Sequence, residues 1–420
     1  MKKLLILTAI AVTALASCAK TEIVHKTAGQ GTPVTFGVYV PLTTKAGAAG
    51  TITVAGASET TSLQTTGFGV FATYSDGGNY SAATGPNFMW NTQVSGASWT
   101  YSPIKYWPNE TIDDSHSAIA PAAADKLSFF AYAPYVAPAA ATGLFTPAET
   151  VGIKALTSNV ATTDPKVTFA TSTDPSESVD LLWAVAGSAY SYTDVHGATV
   201  NVAAGMPFLN LTKPDHSEVI PLHFRHATTR LGFKIVGAFD QVAAGGTLDA
   251  ATKVTVEQVR VVDLNMYTTG LLNLNNTVAN TPLWESMSGG PITLVVAGDD
   301  LNTAIKDSGS DEVQTASVTN SAVNVFANDK TYFNLIPTDV SKTVRVEITY
   351  YVTTADGNLD AGFSRVKNVI YKDITFASGL QAGKSNTIKI ILGLTSVKLE
   401  ATVEDWDDLE DTPVDLPINS

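Results

Sequence analysis

Residues 33–41 read Pro33-Val34-Thr35-Phe36-Gly37-Val38-Tyr39-Val40-Pro41. Every second residue from Val34 is apolar, and this period of two is typical of a β-strand with one buried face. Prolines bracket the segment, and proline is tolerated at the ends and edges of sheets. The segment therefore predicts a short strand that completes a β-sheet, with these side chains on its apolar face: Val34, Phe36, Val38 and Val40.

The sequence before this strand is typical of an exported bacterial lipoprotein. Met1-Lys2-Lys3 precedes an apolar run from Leu4 to Leu15, which indicates a signal peptide and is too short to span a membrane. Leu15-Ala16-Ser17-Cys18 then resembles a lipobox, and Cys18 is the only cysteine in the chain. We expect residues 1–17 to be removed and Cys18 to be acylated, for example with palmitate, which would anchor the precursor in the outer membrane.

The segment after the strand offers a site for proteolysis. Residues 42–66 are rich in Gly, Ala, Ser and Thr, which predicts an exposed, mobile loop with Lys45 inside it. A protease that cuts between Lys45 and Ala46 would separate the strand from the rest of the chain. Residues 18–45 are therefore interpreted as a lipidated propeptide that carries a removable first strand.

The composition predicts an all-β protein. The chain has 420 residues, enough for two domains, and 15% of them are charged, against about 25% in an ordinary globular protein. Many short, apolar, Thr-rich and Val-rich segments are separated by turn signals, which indicates β-sandwiches. The net charge of −14 argues against nucleic-acid binding, because that function requires a basic face.

Two further features suggest how the chain is divided. The segment Leu211-Thr212-Lys213-Pro214-Asp215 predicts a junction between an N-terminal sandwich, residues 46–213, and a C-terminal sandwich, residues 214–395. Residues 396–420 then hold a last alternating strand and an acidic tail. The apolar face of that strand matches the first strand in number of side chains: Val397, Leu399, Ala401 and Val403.

Signals for ligand binding have simpler structural interpretations. Gly379–Ser385 is one residue short of a P-loop, and a strand rather than a helix follows it. His223 and His226 would point to opposite faces of a strand, which favours a buried, hydrogen-bonded His226 over a metal pair. The acidic tail lacks the glycine of a calcium loop. We expect no cofactor, no metal and, because no catalytic arrangement of side chains stands out, no enzymatic activity.

Several segments, taken in chain order, resemble the Bacteroidales fimbrillin family, also called FimA/Mfa-like or type V pilins. They are the lipobox at Cys18, the strand before Lys45, Trp99–Pro108, Leu127–Tyr135, Leu222–His226, Leu231–Ile235, Tyr332–Pro337, Ala382–Lys389 and Val403–Trp406. This resemblance implies two transthyretin-like β-sandwich domains in tandem. It also implies cleavage after Lys45 by a trypsin-like protease, although several members of the family have Arg at that position.

The resemblance further implies how the chain would function. The released strand, Val34–Val40, would leave a groove that accepts the C-terminal donor strand of another copy, roughly Val397–Val403. The protein would then be a structural subunit of a cell-surface fimbrium that supports adhesion, with its own copies and related pilin subunits as partners. Its adhesion target is not indicated.

The aromatic residues between Trp90 and Trp107 leave a second hypothesis open. They are either the core of the N-terminal sandwich or a platform on which glycans stack. The alternative function is therefore a surface lipoprotein that binds glycans and does not polymerise.

Overall fold

A computed structural model describes residues 31–39, 63–108, 124–145, 148–239, 248, 250–310, 314–328, 331–394 and 396–406. Regular structure in this part of the chain is almost entirely β, which confirms the all-β prediction. The first eleven strands are β1 Thr35–Tyr39, β2 Phe68–Ser75, β3 Met89–Val94, β4 Lys126–Ala133, β5 Gly152–Leu156, β6 Lys166–Ala170, β7 Leu182–Ala186, β8 Tyr190–Thr193, β9 Thr199–Val202, β10 Phe208–Leu211 and β11 Val219–His226.

The remaining strands are β12 Thr229–Gly237, β13 Thr252–Asn273, β14 Leu283–Ala297, β15 Val323–Asn324, β16 Phe333–Leu335, β17 Lys342–Ala355, β18 Phe363–Phe376, β19 Lys384–Leu392 and β20 Val397–Asp405. Helical structure in the described residues is limited to single turns: α1 at Leu63–Thr66 and 3-10 turns at Ala82–Thr84, Pro175–Glu177 and Gly298–Asp300. No helix among these residues is long and apolar enough to cross a membrane.

The strands form three main sheets. The first has the order β1-β11-β7-β4-β2-β3, with β10 also paired to β4. The second has the order β15-β12-β19-β20, with β16 beside β12. The third has the order β18-β17-β13-β6-β5, with β14 beside β13, while β8 and β9 form a separate hairpin.

Both faces of the first sheet are covered, which explains the nearly continuous apolar sequence of β4. Phe129 packs on one face with Phe36 of β1 and Phe224 of β11. Phe130 packs on the other face, in a second cluster with Phe169 of β6. The second and third sheets enclose another core, so the architecture is that of β-sandwiches.

The division between the two halves differs from the expected boundary at residues 213 and 214. Strand β11 lies in the first sheet, and the chain passes to the second sheet between His226 and Thr229. The segment with Pro214 is a loop between β10 and β11. Strand β13 joins the halves, because its start pairs with β17 and its end with β6.

Candidate functional site

Strand β1 is the terminal strand of the first sheet. It pairs in parallel with β11 over five residues, from Thr35 opposite Val219 to Tyr39 opposite His223. The hydroxyl of Thr35 also donates a hydrogen bond of 2.8 Å to the carbonyl of Glu218. The first strand therefore lies against a strand that follows it by more than 180 residues, not against its neighbour in sequence.

The inner face of β1 is part of the hydrophobic core. Val34 is 1% exposed and Phe36 is 4% exposed, and Val38 is partly buried. The ring centroid of Phe36 is 5.7 Å from those of both Tyr101 and Phe129 and 6.5 Å from that of Phe68. Phe36 thus fills a slot with aromatic walls.

The segment from Tyr101 to Trp107 binds the beginning of β1 on the side away from β11. The main-chain N–H of Val34 donates to the carbonyl of Lys105 at 2.9 Å, and that of Trp107 donates to the carbonyl of Thr32 at 2.9 Å. The Tyr101 hydroxyl donates to the carbonyl of Val34 at 2.8 Å. Burial raises the pKa of Tyr101 to about 12, so this hydroxyl stays a donor at neutral pH.

The same segment accounts for much of the aromatic sequence after Trp90. Tyr101 and Trp107 are buried, and Trp99 packs against Phe68 with 5.8 Å between centroids. The indole N–H of Trp90 donates to the carbonyl of Thr157 at 2.8 Å. These side chains pack against other residues of the protein and do not form an exposed aromatic surface.

Strand β20 is the terminal strand of the second sheet. It pairs antiparallel with β19 over nine residues, from Val397 opposite Leu392 to Asp405 opposite Lys384. Its apolar face is covered only at the start. Val397 is buried and Leu399 is partly buried, whereas Ala401 is exposed and Val403 is 52% exposed.

Trp406 follows β20 directly and anchors its end at the junction of the two halves. Its side chain is 2% exposed, and its ring stacks on the imidazole of His226 with 3.7 Å between centroids and 10° between planes. The Nδ1 atom of His226 lies 2.9 Å from Oδ1 of the buried Asp180. The expectation of a buried, hydrogen-bonded His226 is thus confirmed.

Two further contacts complete this anchor. The guanidinium of Arg230 lies 4.8 Å from the ring of Trp406 and 4.3 Å from that of Tyr332, and burial lowers its pKa. The main-chain N–H of Trp406 donates to the carbonyl of Gly383 at 2.6 Å. The end of β20 is therefore held by main-chain and side-chain contacts together.

A polar cavity of about 430 Å³ lies near β18, away from both terminal strands. Asp307 accepts hydrogen bonds from Arg365 at 2.7 Å and from Thr255 at 2.5 Å, and Arg365 lies over the ring of Tyr351. Each charged group of its lining has an ionic partner: Arg365 pairs with Asp307, Lys306 with Asp299 and Glu257 with Lys367. This pairing favours a role in holding the loop at Asp307 against the sheet. Among the described residues no group of His, Cys, Asp and Glu is arranged to hold a metal ion.

Some predicted site residues lie outside the described residues: Cys18, Val40, Lys45 and Ala46. Of the others, the structure brings Val34, Phe36 and Val38 together in the core and leaves Ala401 and Val403 exposed. The sequence alone assigns no role to Trp406. Its partner His226 lies in another sheet, so no local periodicity could reveal the stacking.

The known proteins that this chain resembles include fimbrial proteins. No protein-family model matches the sequence. Fimbrium subunit Fim1C of Phocaeicola vulgatus is 28% identical over 137 residues, which are 31% of this chain and 30% of that relative. The crystal structure of a fimbrial protein from Bacteroides vulgatus superposes with a TM-score of 0.57 at 19% identity, covering 89% of this chain and 99% of that one.

These matches confirm the resemblance to the Bacteroidales fimbrillin family. The structural match supplies the fold, because it extends over nearly the whole of both chains. The sequence match supplies a more local similarity, since the chain spans only about a third of the curated relative. In this fold the first and last described strands lie at the terminal positions of two different sheets.

Proposed function

We propose that this protein is a structural fimbrial subunit, exported as a lipoprotein precursor and polymerised at the cell surface by strand exchange. The observation that carries the proposal is β1. This strand fills the core with Val34 and Phe36, yet it is a terminal strand that one cut in the following segment separates from the chain. The fimbrillin fold and the fimbrial names of the similar proteins support it. A contribution to adhesion is expected of such a subunit.

Loss of β1 would leave a groove that demands a replacement. Burial of Val34 and Phe36 contributes about 3–6 kcal/mol together. Their removal would open the slot between Phe68, Tyr101 and Phe129 to water. It would also expose the main-chain groups of β11 that face β1, and an unpaired sheet edge recruits another strand. A strand from another copy supplies both needs.

The sequence limits where the cut can fall. Lys45 is the only Lys or Arg between Tyr39 and Leu63, the residues that bound the segment between β1 and the next described element. A trypsin-like protease that frees β1 without cutting into the described sandwich therefore acts between Lys45 and Ala46. Acylated Cys18 would remain with the released propeptide.

The donor is expected at the C-terminal end of the chain. The alternating sequence of β20 makes it the expected donor. The side chains that would enter the groove are Val397, Leu399, Ala401 and Val403. To be donated, it must leave nine paired residues of β19. The alternative function, a glycan-binding lipoprotein, needs exposed aromatic side chains between residues 90 and 107, and burial of Tyr101 and Trp107 gives it no support.

The test compares two lysine variants of the full-length precursor. We expect Lys45→Ala to abolish processing by a trypsin-like protease between Tyr39 and Leu63, so that the protein stays monomeric where wild type forms a ladder of multimers on electrophoresis. Lys26→Ala is the matched control, because a cut at Lys26 leaves β1 attached. Multimers of Lys45→Ala at the wild-type level would contradict the proposal.

A further inference from the structure

Two elements hold consecutive parts of the chain at β1. Strand β11 pairs with Thr35–Tyr39. The three residues before Thr35 lie against Tyr101–Trp107, a segment that we call the clamp. The clamp runs antiparallel to them, with Tyr106 opposite Pro33, and two main-chain hydrogen bonds of 2.9 Å, one donated by each segment, join the two. The clamp therefore extends the contacts of β1 beyond its sheet.

The side chain of Tyr101 joins the clamp to β1 in two ways. Its hydroxyl donates to the carbonyl of Val34 at 2.8 Å and accepts from the main-chain N–H of Lys105 at 3.3 Å. Its ring packs against that of Phe36, with 5.7 Å between the centroids. One side chain of the clamp thus contacts β1 both through a hydrogen bond and through apolar packing.

The clamp is anchored by contacts that do not involve β1. Trp107 is 3% exposed, and its ring centroid lies 6.0 Å from that of Phe129. The Nζ atom of Lys105 lies 5.8 Å from the ring centroid of Phe88. All four residues follow Lys45 in the chain, so a cut after Lys45 leaves these contacts in place. The same cut removes none of the described contacts of β1 with the clamp or with β11.

We propose that the clamp retains β1 after cleavage, and that the Tyr101 hydroxyl controls how fast the cut strand leaves. This inference rests on the proposed function and adds a step to it: cleavage makes release of β1 possible, and the clamp sets the rate of release. Until then β1 remains as a bound peptide that covers the aromatic slot. The cleaved subunit therefore does not expose a large apolar surface before assembly.

Burial along β1 indicates the order in which its contacts break. Val34 is 1% exposed and Phe36 is 4% exposed, whereas Val38, which is nearest to the cut, is only partly buried. Local opening begins where few buried contacts hold the chain. Release of the cut strand therefore starts at Val38 and ends at the clamp, so the contacts of Tyr101 are among the last to break.

The experiment measures how long the cut strand stays with the subunit. The full-length precursor is cleaved with a trypsin-like protease and sampled at intervals by gel filtration. Intact mass then gives the fraction of the β1 fragment that coelutes with the subunit. We expect the fragment to coelute in wild type. In Tyr101→Phe, which keeps the ring, it should leave about five to ten times faster, because the carbonyl of Val34 loses the donor that the hydroxyl supplies.

Tyr74→Phe is the matched control. Tyr74 lies in β2 of the same sheet, and its hydroxyl donates to Oδ1 of Asp125 at 2.7 Å. Its replacement removes a hydroxyl from the first sheet and leaves the described contacts of β1 intact. We expect Tyr74→Phe to release the fragment at the wild-type rate. Thermal unfolding of each uncut variant shows that the substitution has preserved the fold.

Three results would overturn the role of the clamp. The first is a wild-type fragment that separates from the subunit as soon as the chain is cut. The second is release from Tyr101→Phe at the wild-type rate, and the third is equal acceleration in Tyr101→Phe and Tyr74→Phe. The proposed function fails separately if wild type loses the fragment and still forms no multimers. That result leaves retention by the clamp standing, because retention is measured before assembly.

Discussion

Strands β1 and β20 both alternate apolar and polar residues, and each is the terminal strand of its sheet. The apolar face of β1 is buried, whereas most of the apolar face of β20 is exposed. The inner face of β1 meets an aromatic slot, so Val34 and Phe36 are buried. The inner face of β20 is covered only near Val397, and Val403 lies opposite the polar Asn386. Alternation thus identifies a strand and its apolar face. The residues that pack against that face decide how much its burial stabilises the fold.

The two strands also differ in how they are held. Strand β1 has five paired residues and is secured mainly by side-chain burial. Strand β20 has nine paired residues and the Trp406 anchor. Removal of β1 would therefore break fewer main-chain pairs than removal of β20.

The largest expected effect is at Phe36. We predict that Phe36→Ala lowers the free energy of unfolding of the precursor by about 3–5 kcal/mol, because the aromatic slot cannot close around alanine. Val403→Ala is the matched control in β20 and should change it by no more than about 0.5 kcal/mol. Denaturant unfolding measures both. Equal losses of unfolding free energy in the two variants would show that the apolar faces of β1 and β20 stabilise the protein to the same extent.

The second effect concerns the anchor of β20. We predict that Trp406→Ala lowers the free energy of unfolding by about 2–4 kcal/mol. The loss is below that of Phe36 because the buried indole N–H has no hydrogen-bond partner in the described part of the chain, so its removal returns some desolvation cost. Hydrogen exchange should rise in β20 and not in β1. Trp406→Phe, which keeps a stacking ring, should lose less than half as much.

The smallest effect is the response to acid. The hydrogen bond and charge of Lys398 hold the pKa of Glu400, on the outward face of β20, below its usual value. Because its folded pKa is lowered, this carboxylate stabilises β20 above its unfolded pKa of about 4.3, and that contribution is lost as the pH falls through the folded value. Strand β1 has no group that titrates in acid.

Hydrogen-exchange protection factors should therefore fall more in β20 than in β1 when the pH is lowered from 7 to 3. Glu400→Gln should remove part of the difference, since its side chain does not titrate. An equal fall of protection in the two strands of wild type would show that these surface charges do not distinguish them.

The sequence predicted features that depend on neighbouring residues. The alternation from Val34 to Val38 is local, and so is the apolar run of β4. The division into halves depends on pairing between distant segments, since β11 completes the first sheet through β1 and β7. A polar, proline-containing loop such as residues 212–215 has the same composition whether it lies within a domain or between two.

The anchor at Trp406 was beyond local prediction for a related reason. It combines Asp180, His226, Arg230 and Tyr332, which come from separate parts of the chain and meet only in the fold. Sequence alone suggested that His226 is buried, from its parity with Leu222 and Phe224. It could not show that an aromatic ring from the end of the chain stacks on it.

The most direct test of the account is the intact mass and N-terminal sequence of subunits recovered from fimbriae sheared off the cell surface. Strand exchange after cleavage at Lys45 predicts subunits that begin at Ala46 and run as a ladder of multimers, with no β1 in the polymer. Multimeric subunits that still carry residues 34–39 would contradict it, because the first strand would then occupy the groove that assembly requires.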